Sequence, residues 1–125
     1  MKLIQQERAK FALERIQKAI TDPSVNQTEY GSYAASLPAM IHTNGLGQAA
    51  AFFKSKGGTH ERLYQLLSDW LGKENQPFAG KQLLEGITTS DMQTYRLAQA
   101  EAQALMDWVK KFAKAYMDKD KKKEA

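Results

Sequence analysis

The chain of 125 residues contains no cysteine, and this absence excludes several kinds of chemistry at once. Disulfide bonds, thiolate metal sites and cysteine nucleophiles cannot form, which agrees with a reducing compartment. Long apolar runs are also missing, and the first residues lack the apolar core and small-residue cleavage site of a secretory signal. We therefore expect a cytoplasmic protein whose core is stabilised by packing alone.

Catalytic motifs are equally scarce. The only histidines, His42 and His60, stand far apart in the sequence and belong to no closely spaced cluster of metal ligands. The sequence has no glycine-rich phosphate loop and no nucleophile elbow. We expect no enzyme, no metal and no cofactor. An enzyme that uses His42, beside the Asn44–Gly45 pair, as an acid–base residue is a third functional alternative.

Charge of one sign is only slightly in excess. The chain has 18 basic and 14 acidic residues, for a net charge of +4. A small positive excess is compatible with a nucleic-acid partner, but it is also common in proteins that bind no nucleic acid. The net charge therefore does not choose between these functions.

Helical periodicity is what the sequence does contain. In residues 2–20, apolar side chains recur at a three-and-four spacing, which predicts a first helix that ends at Asp22–Pro23. A longer apolar face predicts a C-terminal helix of more than six turns, opened by a capping box between Ser90 and Gln93. The members of that face are Met92, Tyr95, Ala98, Ala102, Leu105, Met106, Val109, Phe112, Ala113 and Tyr116.

Proline and glycine divide the first part of the central region. We expect Thr28 to cap a helix that ends before Leu37, because proline disfavours helical geometry in the residue before it. Pro38 should then open the next helix, where its missing N–H has no consequence. The Asn44–Gly45 pair interrupts that helix, either as a kink or as a full stop.

The second part of the central region begins at Gly57–Gly58, which should end the preceding helix. Thr59 is expected to cap the next helix. Residues 73–78 are polar and contain a proline, which predicts a loop, and a short helix is predicted over residues 81–86.

The whole pattern predicts an all-α fold, because no segment alternates between apolar and polar at every second residue. We expect a compact single-domain bundle of about five to seven helices with a long C-terminal helix. The helical domain should cover residues 1–117, and residues 118–125 should form a disordered tail of mixed charge.

Three segments carry a family resemblance. The stretch from Tyr30 to Lys56 reads YGSYAASLPAMIHTNGLGQAAAFFKSK. RAKFALERI lies upstream, from Arg8 to Ile16, and YRLAQAEAQALMDWVKKFA lies downstream, from Tyr95 to Ala113. In their order and spacing these segments resemble the small helical subunit family of the Cmr complex, the type III-B CRISPR effector that silences RNA with a guide RNA.

The resemblance implies a non-catalytic ribonucleoprotein subunit that serves antiviral defence. Such a subunit would stack with copies of itself and with other Cmr effector subunits along the guide RNA. It would help to hold target RNA through sequence-independent contacts, and neither a membrane nor a small-molecule substrate is implied. Where the family usually has an arginine near the terminal Trp, this chain has Lys110–Lys111, which keeps the charge but not a bidentate phosphate contact.

The first helix offers one candidate RNA-binding strip. Arg8, Arg15 and Lys18 flank Phe11, and cations beside an exposed ring suit a nucleic-acid backbone with unstacked bases. Phe11 would then pack against a partner. The alternative is that Phe11 turns into the core and the basic side chains are simply solvated.

The other candidates lie on later helices. Lys54 and Lys56 stand at a helix end, where cations also favour the helix dipole without any ligand. Trp108 lies off the centre of the last helix's apolar face, so it either packs against a partner or covers a neighbouring helix. The last helix also carries a basic strip that is diluted by Asp107. Its RNA-binding members are Arg96, Lys110 and Lys114, with Gln103 among them and Lys111 to one side.

A function without RNA remains open. A free-standing helical adaptor or homo-oligomer that binds only protein would carry the same basic faces as ordinary solvated surface. Such an adaptor would not require Arg8, Arg15 and Lys18 on one face. This run therefore favours the RNA-binding interpretation.

Overall fold

A computed structural model describes residues 3–117, and within that range all regular elements are α-helices. They are α1 (Ile4–Thr21), α2 (Gln27–Lys56), α3 (Gly58–Leu71), α4 (Leu83–Thr89) and α5 (Met92–Met117). The predicted all-α class and the long C-terminal helix are confirmed. The segment predicted to be a disordered tail lies outside the described residues.

Helix α2 reverses direction at Gly45, whose backbone angles, φ 88° and ψ 157°, are not helical. Tyr33, in the half before Gly45, stacks on His60 with ring centroids 3.8 Å apart, and His60 lies 4.9 Å from Phe53 in the half after it. A straight helix would separate Tyr33 from Phe53 by about 30 Å. The two halves therefore lie side by side, joined through one residue whose positive φ favours glycine.

Side chains of α5 cap the second half of α2. Gln99 Oε1 accepts a hydrogen bond from the N–H of Leu46 at 2.9 Å. The Tyr95 hydroxyl oxygen accepts one from the N–H of Gly47 at 2.8 Å. The first N–H groups of a helix have no partner within that helix, so both bonds stabilise the start of the second half. The predicted interruption at Asn44–Gly45 is thus a one-residue reversal.

Helix α5 packs against both α1 and α2 and fixes their directions. Arg8 of α1 meets Glu101 of α5, and α1 ends where α2 begins, with Gly31 of α2 facing Met117. Helices α1 and α5 therefore run parallel, and the first half of α2 runs antiparallel to both. We call the end of the bundle at Gly45 the reversal end, and the opposite end, which contains Gly57, the Gly57 end.

The predicted helix boundary at Pro38 is wrong, because Pro38 lies inside the first half of α2. An internal proline removes one backbone hydrogen bond and normally kinks or breaks a helix. Here Leu37 and Ile41, on either side of it, are only 1% and 0% exposed. Burial of the apolar face outweighs the local cost of the proline.

Three predicted capping residues are also wrong. Asn26 rather than Thr28 caps α2, and its side chain accepts a hydrogen bond at 3.0 Å from the N–H three residues on. Asp91 rather than Ser90 caps α5 in the same way, at 2.8 Å. Thr59 lies within α3, whose N-cap makes no side-chain hydrogen bond. Each prediction lay one or two residues from the observed boundary, where several residues of suitable type compete.

The polar segment predicted over residues 73–78 does lie between helices, and the short helix α4 follows it two residues later than predicted. The segment is anchored by Phe78, which is 1% exposed and whose N–H donates to the Leu71 carbonyl at 3.0 Å. An aromatic side chain can thus join the core from a loop.

The core is one continuous cluster of apolar side chains drawn from all five helices and from the connecting segments. On α5 the predicted apolar face is buried from Ala98 to Ala113, except for Phe112, which is partly buried. Its outermost members differ, because Met92 is 67% and Tyr116 is 47% exposed, whereas Met117 beside Tyr116 is 4% exposed. Periodicity located the face, but it did not identify which residues at its two ends are buried.

Candidate nucleic-acid interface

Arg8, a candidate RNA-binding residue, is held in a junction of three helices. Its Nε lies 2.5 Å from Glu101 Oε2, and its Nη2 donates to Glu101 Oε1 at 3.0 Å. Trp70 of α3 donates its indole N–H to the same carboxylate at 3.0 Å. The side chains of Arg8 and Glu101 are 17% and 14% exposed, so this guanidinium is occupied within the fold.

The junction determines the protonation of Glu101. Burial alone would raise the pKa of this carboxyl group, but hydrogen bonds from Arg8 and Trp70 and the charge of Arg8 outweigh burial. The pKa of Glu101 is therefore held below its usual value of 4.5. The hydrogen bond to Glu101 also raises the pKa of Arg8. Both groups are charged at neutral pH, so the junction contains an ion pair.

The rest of the first strip is also engaged in the fold. Arg15 Nη2 lies 2.6 Å from Asp69 Oδ2, and its guanidinium lies 4.8 Å from the centre of the Phe11 ring. Phe11 is only 8% exposed and packs against the Trp70 ring at 5.0 Å. The ring that this strip would offer to a partner is therefore in the core, and Lys18 is its exposed member.

The strip on α5 is different, because its basic side chains are all exposed. Within residues 3–117, no carboxylate lies within ion-pair distance of any of them. From the first to the last, the strip covers about 27 Å along the helix axis. The exposed Asp107 lies among them. The four basic members are Arg96, Lys110, Lys111 and Lys114.

The third basic group divides into one paired and one open lysine. Lys54 Nζ lies 2.7 Å from Glu61 Oε2 and 5.2 Å from the centre of the Tyr64 ring. Lys56 Nζ lies 5.3 Å from the centre of the Phe52 ring, and this ring is 40% exposed. Lys56 rather than Lys54 is therefore available to a ligand.

Phe52 was not among the predicted site residues, although the sequence held a signal for it. Adjacent residues on a helix point about 100° apart, so a pair such as Phe52–Phe53 at the edge of an apolar face can bury one ring and expose the other. The structure buries Phe53 and exposes Phe52. An apolar residue next to a core position on a helix is a candidate for an exposed contact.

Trp108 lies at the rim of the core on α5. It is partly buried, and its ring stacks on Phe112 with centroids 5.6 Å apart. Packing of Trp108 against a partner stays a prediction, since the rim position leaves part of the side chain accessible.

The histidines take no part in a cluster suited to catalysis or metal binding. His42 is exposed and lines an open groove with Arg96 and Gln103, whereas His60 is partly buried and stacks on Tyr33. In the part of the chain that the structure describes, no group of three potential ligands could hold a metal ion. Among the same residues, no helix combines the length and apolar character needed to cross a membrane.

The fold and sequence match known proteins over nearly the whole chain. Residues 4–116 match the family model described as CRISPR-associated protein (Cas_Cmr5). The CRISPR system Cmr subunit Cmr5 of Thermus thermophilus is 29% identical over 111 residues, which cover 88% of this chain and 92% of that protein. The crystal structure of a CRISPR-associated Cmr5 family protein from Thermus thermophilus superposes with a TM-score of 0.80 at 28% identity, covering 93% of this chain and 99% of the other. The chain therefore belongs to the Cmr5 family, the small helical subunit family of the Cmr complex that its sequence resembles.

Proposed function

We propose that this chain is a non-catalytic subunit of a Cmr ribonucleoprotein. In this role it stacks along the guide RNA and helps to hold target RNA for RNA-guided silencing in antiviral defence. The similar Thermus thermophilus protein is named a Cmr subunit, which supports assembly of this chain with other Cmr subunits. For this role we expect a cytoplasmic location and no cofactor.

The proposal that this chain holds RNA rests on one contrast, between basic side chains that pair with carboxylates of the fold and basic side chains that do not. Arg8 and Arg15 are engaged with carboxylates of the fold, whereas the α5 strip has no such partner within residues 3–117. A cation already neutralised inside the protein gains little from a phosphate, but an unpaired one can displace the counterions of the RNA backbone. The α5 strip is therefore the surface best suited to RNA.

A few contacts in each copy are enough if copies are repeated along one RNA. When one copy binds the RNA, the effective concentration of RNA at the next copy rises. A subunit that binds RNA weakly in isolation can therefore contribute strongly to RNA binding by the assembly. Contacts with phosphates carry no base preference, and specificity would then come from pairing with the guide.

An apolar surface at the reversal end supports the stacking part of the proposal. Helices α1 and α5 run parallel, so the exposed apolar side chains near the starts of both helices lie at the same end of the bundle. These side chains are Leu3, Ile4, Met92 and Leu97, with exposures of 69%, 42%, 67% and 60%. Exposed apolar groups concentrated at one end suit end-on contact with the next subunit, which leaves the side of α5 open to RNA.

The proposal can be tested in the assembled complex with the triple variant Arg96→Gln, Lys110→Gln and Lys114→Gln. We expect weaker retention of target RNA and a smaller salt dependence, by about one unit of slope for each phosphate interaction that the variant removes. A salt titration of RNA retention measures both quantities.

The matched control changes three lysines outside the strip, Lys10→Gln, Lys73→Gln and Lys81→Gln, and so alters the net charge equally. Its RNA retention should equal that of the wild type. An equal loss in both triple variants would show a general charge effect, and no loss in either would remove the α5 strip from the proposal.

Purification of the tagged chain from its native host under gentle salt separates this role from that of an adaptor. Recovery of guide RNA together with several larger Cas subunits is the expected result. A protein partner recovered without RNA would favour the free-standing adaptor, for which the exposed reversal end would be the docking surface.

A further inference from the structure

Phe52 is an exposed ring held in a defined position near the Gly57 end. It projects from the second half of α2 and is 40% exposed. Phe53 and His60 make T-shaped contacts with it, each with ring centroids 6.0 Å away, at interplanar angles of 62° and 87°. Neither ring lies flat against Phe52, and the exposed part of the Phe52 ring is accessible to a flat group.

Lys56 supplies an unneutralised positive charge beside this ring. Its Nζ lies 5.3 Å from the ring centre, one helical turn after Phe52. Nearby carboxylates are engaged elsewhere, since Glu61 pairs with Lys54 at 2.7 Å and Glu29 accepts a hydrogen bond from Thr59 at 3.0 Å. In the described range 3–117, no carboxylate lies within ion-pair distance of Lys56.

The surface next to the ring is bare. A Cβ built on Gly57 or on Gly58 would meet no other atom within 4 Å. A polynucleotide backbone can therefore approach the chain closely between Lys56 and the start of α3. We call Phe52, Lys56 and the two glycines the Phe52 platform.

We propose that the Phe52 platform binds one nucleotide of single-stranded RNA. The base stacks on the Phe52 ring, and the flexible Lys56 side chain moves from the ring to the adjacent phosphate. Stacking on an aromatic ring is tolerant of base identity, which fits sequence-independent contact with RNA. This inference rests on the proposed function, which supplies RNA as the class of ligand. A protein side chain could also cover the ring, but the unpaired ammonium group and the bare glycine surface favour a nucleotide.

The test uses the full chain at low salt with single-stranded oligouridine that contains 5-iodouridine as the probe. Ultraviolet irradiation links this base to an aromatic ring stacked on it, and mass spectrometry identifies the linked residue. We expect a crosslink at Phe52. Phe52→Leu should abolish it and weaken oligouridine binding about tenfold, and Lys56→Gln should lower the salt slope by about one.

Tyr116→Leu is the matched control, because Tyr116 is also an exposed aromatic residue, at 47%. It should leave both crosslinking and affinity unchanged. Since Phe52 and Tyr116 are both exposed, both variants should melt at nearly the wild-type temperature, which thermal denaturation checks.

The outcomes separate this inference from the function on which it rests. Crosslinks confined to the α5 strip, with wild-type affinity for Phe52→Leu, would overturn the platform and leave the RNA-holding role intact. Absence of any crosslink and of any RNA binding would overturn both. Loss of a co-purifying subunit from Phe52→Leu, with unchanged crosslinking, would show that the ring binds protein and would also overturn the platform.

Discussion

Two groups of cations on neighbouring surfaces behave differently in this bundle. At the α1–α3–α5 junction, Arg8 is matched by Glu101 and Trp70 and is almost covered. On the α5 strip, lysines such as Lys110 and Lys114 are exposed and have no acidic partner within residues 3–117. The junction uses the planar fork of arginine for fixed bonds, whereas a flexible lysine suits a partner whose position varies. Cations that look alike in the sequence thus divide into those bonded within the fold and those exposed to solvent.

Breaking the junction should have the largest effect. Glu101→Leu leaves the Arg8 guanidinium nearly buried without its counter-charge and removes the acceptor of the Trp70 indole N–H. We expect the free energy of unfolding to fall by about 3 kcal/mol. Urea denaturation of the purified chain measures this loss.

Asp107→Leu is the matched control for that experiment, because it also replaces a carboxylate with leucine, at an exposed position of the same helix. It should change the free energy of unfolding by less than about 0.5 kcal/mol. Similar losses in the two variants would mean that the junction has no special role in stability.

Acid should weaken the junction to a smaller extent, since protonation leaves the side chains in place. The pKa of Glu101 is lower in the folded chain than its usual value of 4.5. The stabilisation is therefore complete above that value and is lost as the pH falls through the lower, folded pKa. Urea denaturation at a series of acidic pH values should show a shallower decline for Glu101→Gln than for the wild type. Parallel declines in the free energy of unfolding of the two proteins would contradict a lowered pKa of Glu101 in the folded chain.

Much of this fold could be predicted because its helices are strongly amphipathic. The spacing of apolar residues located α1 and α5, and Asp22–Pro23 ended α1 as expected. Predictions from the local sequence were wrong where contacts between residues far apart in the chain determine the structure. Pro38 stays in a helix because Leu37 and Ile41 are buried beside it. The reversal at Gly45 is capped by side chains of α5, which no inspection of the local sequence could identify.

The candidate site was predictable in part for the same reason. A helical wheel is enough to place Lys110 and Lys114 on one exposed strip of α5. It cannot show that Arg8 and Arg15 are paired, because their partners lie 93 and 54 positions away in the chain. Long-range pairing removes cations from a candidate interface without leaving any signal in the local sequence.

The smallest effect on stability is expected at the strip. The double variant Lys110→Gln and Lys114→Gln removes two exposed charges with no acidic partner in the described chain. We expect the free energy of unfolding to change by less than about 0.5 kcal/mol, while target RNA retention in the complex weakens. A marked fall in melting temperature would instead assign these lysines to the fold.

The packing of α1 mainly against α5 has a consequence for the chain during its synthesis. Helix α1 leaves the ribosome before α5 does, with the apolar side chains of Phe11, Ala12 and Ile16 on one face. Its main partner begins roughly 70 residues later, so at ordinary rates of translation that face stays uncovered for several seconds or more. A nascent chain that stalls before α5 would expose the apolar face of an amphipathic helix. We expect chaperones that bind emerging polypeptides to bind this face.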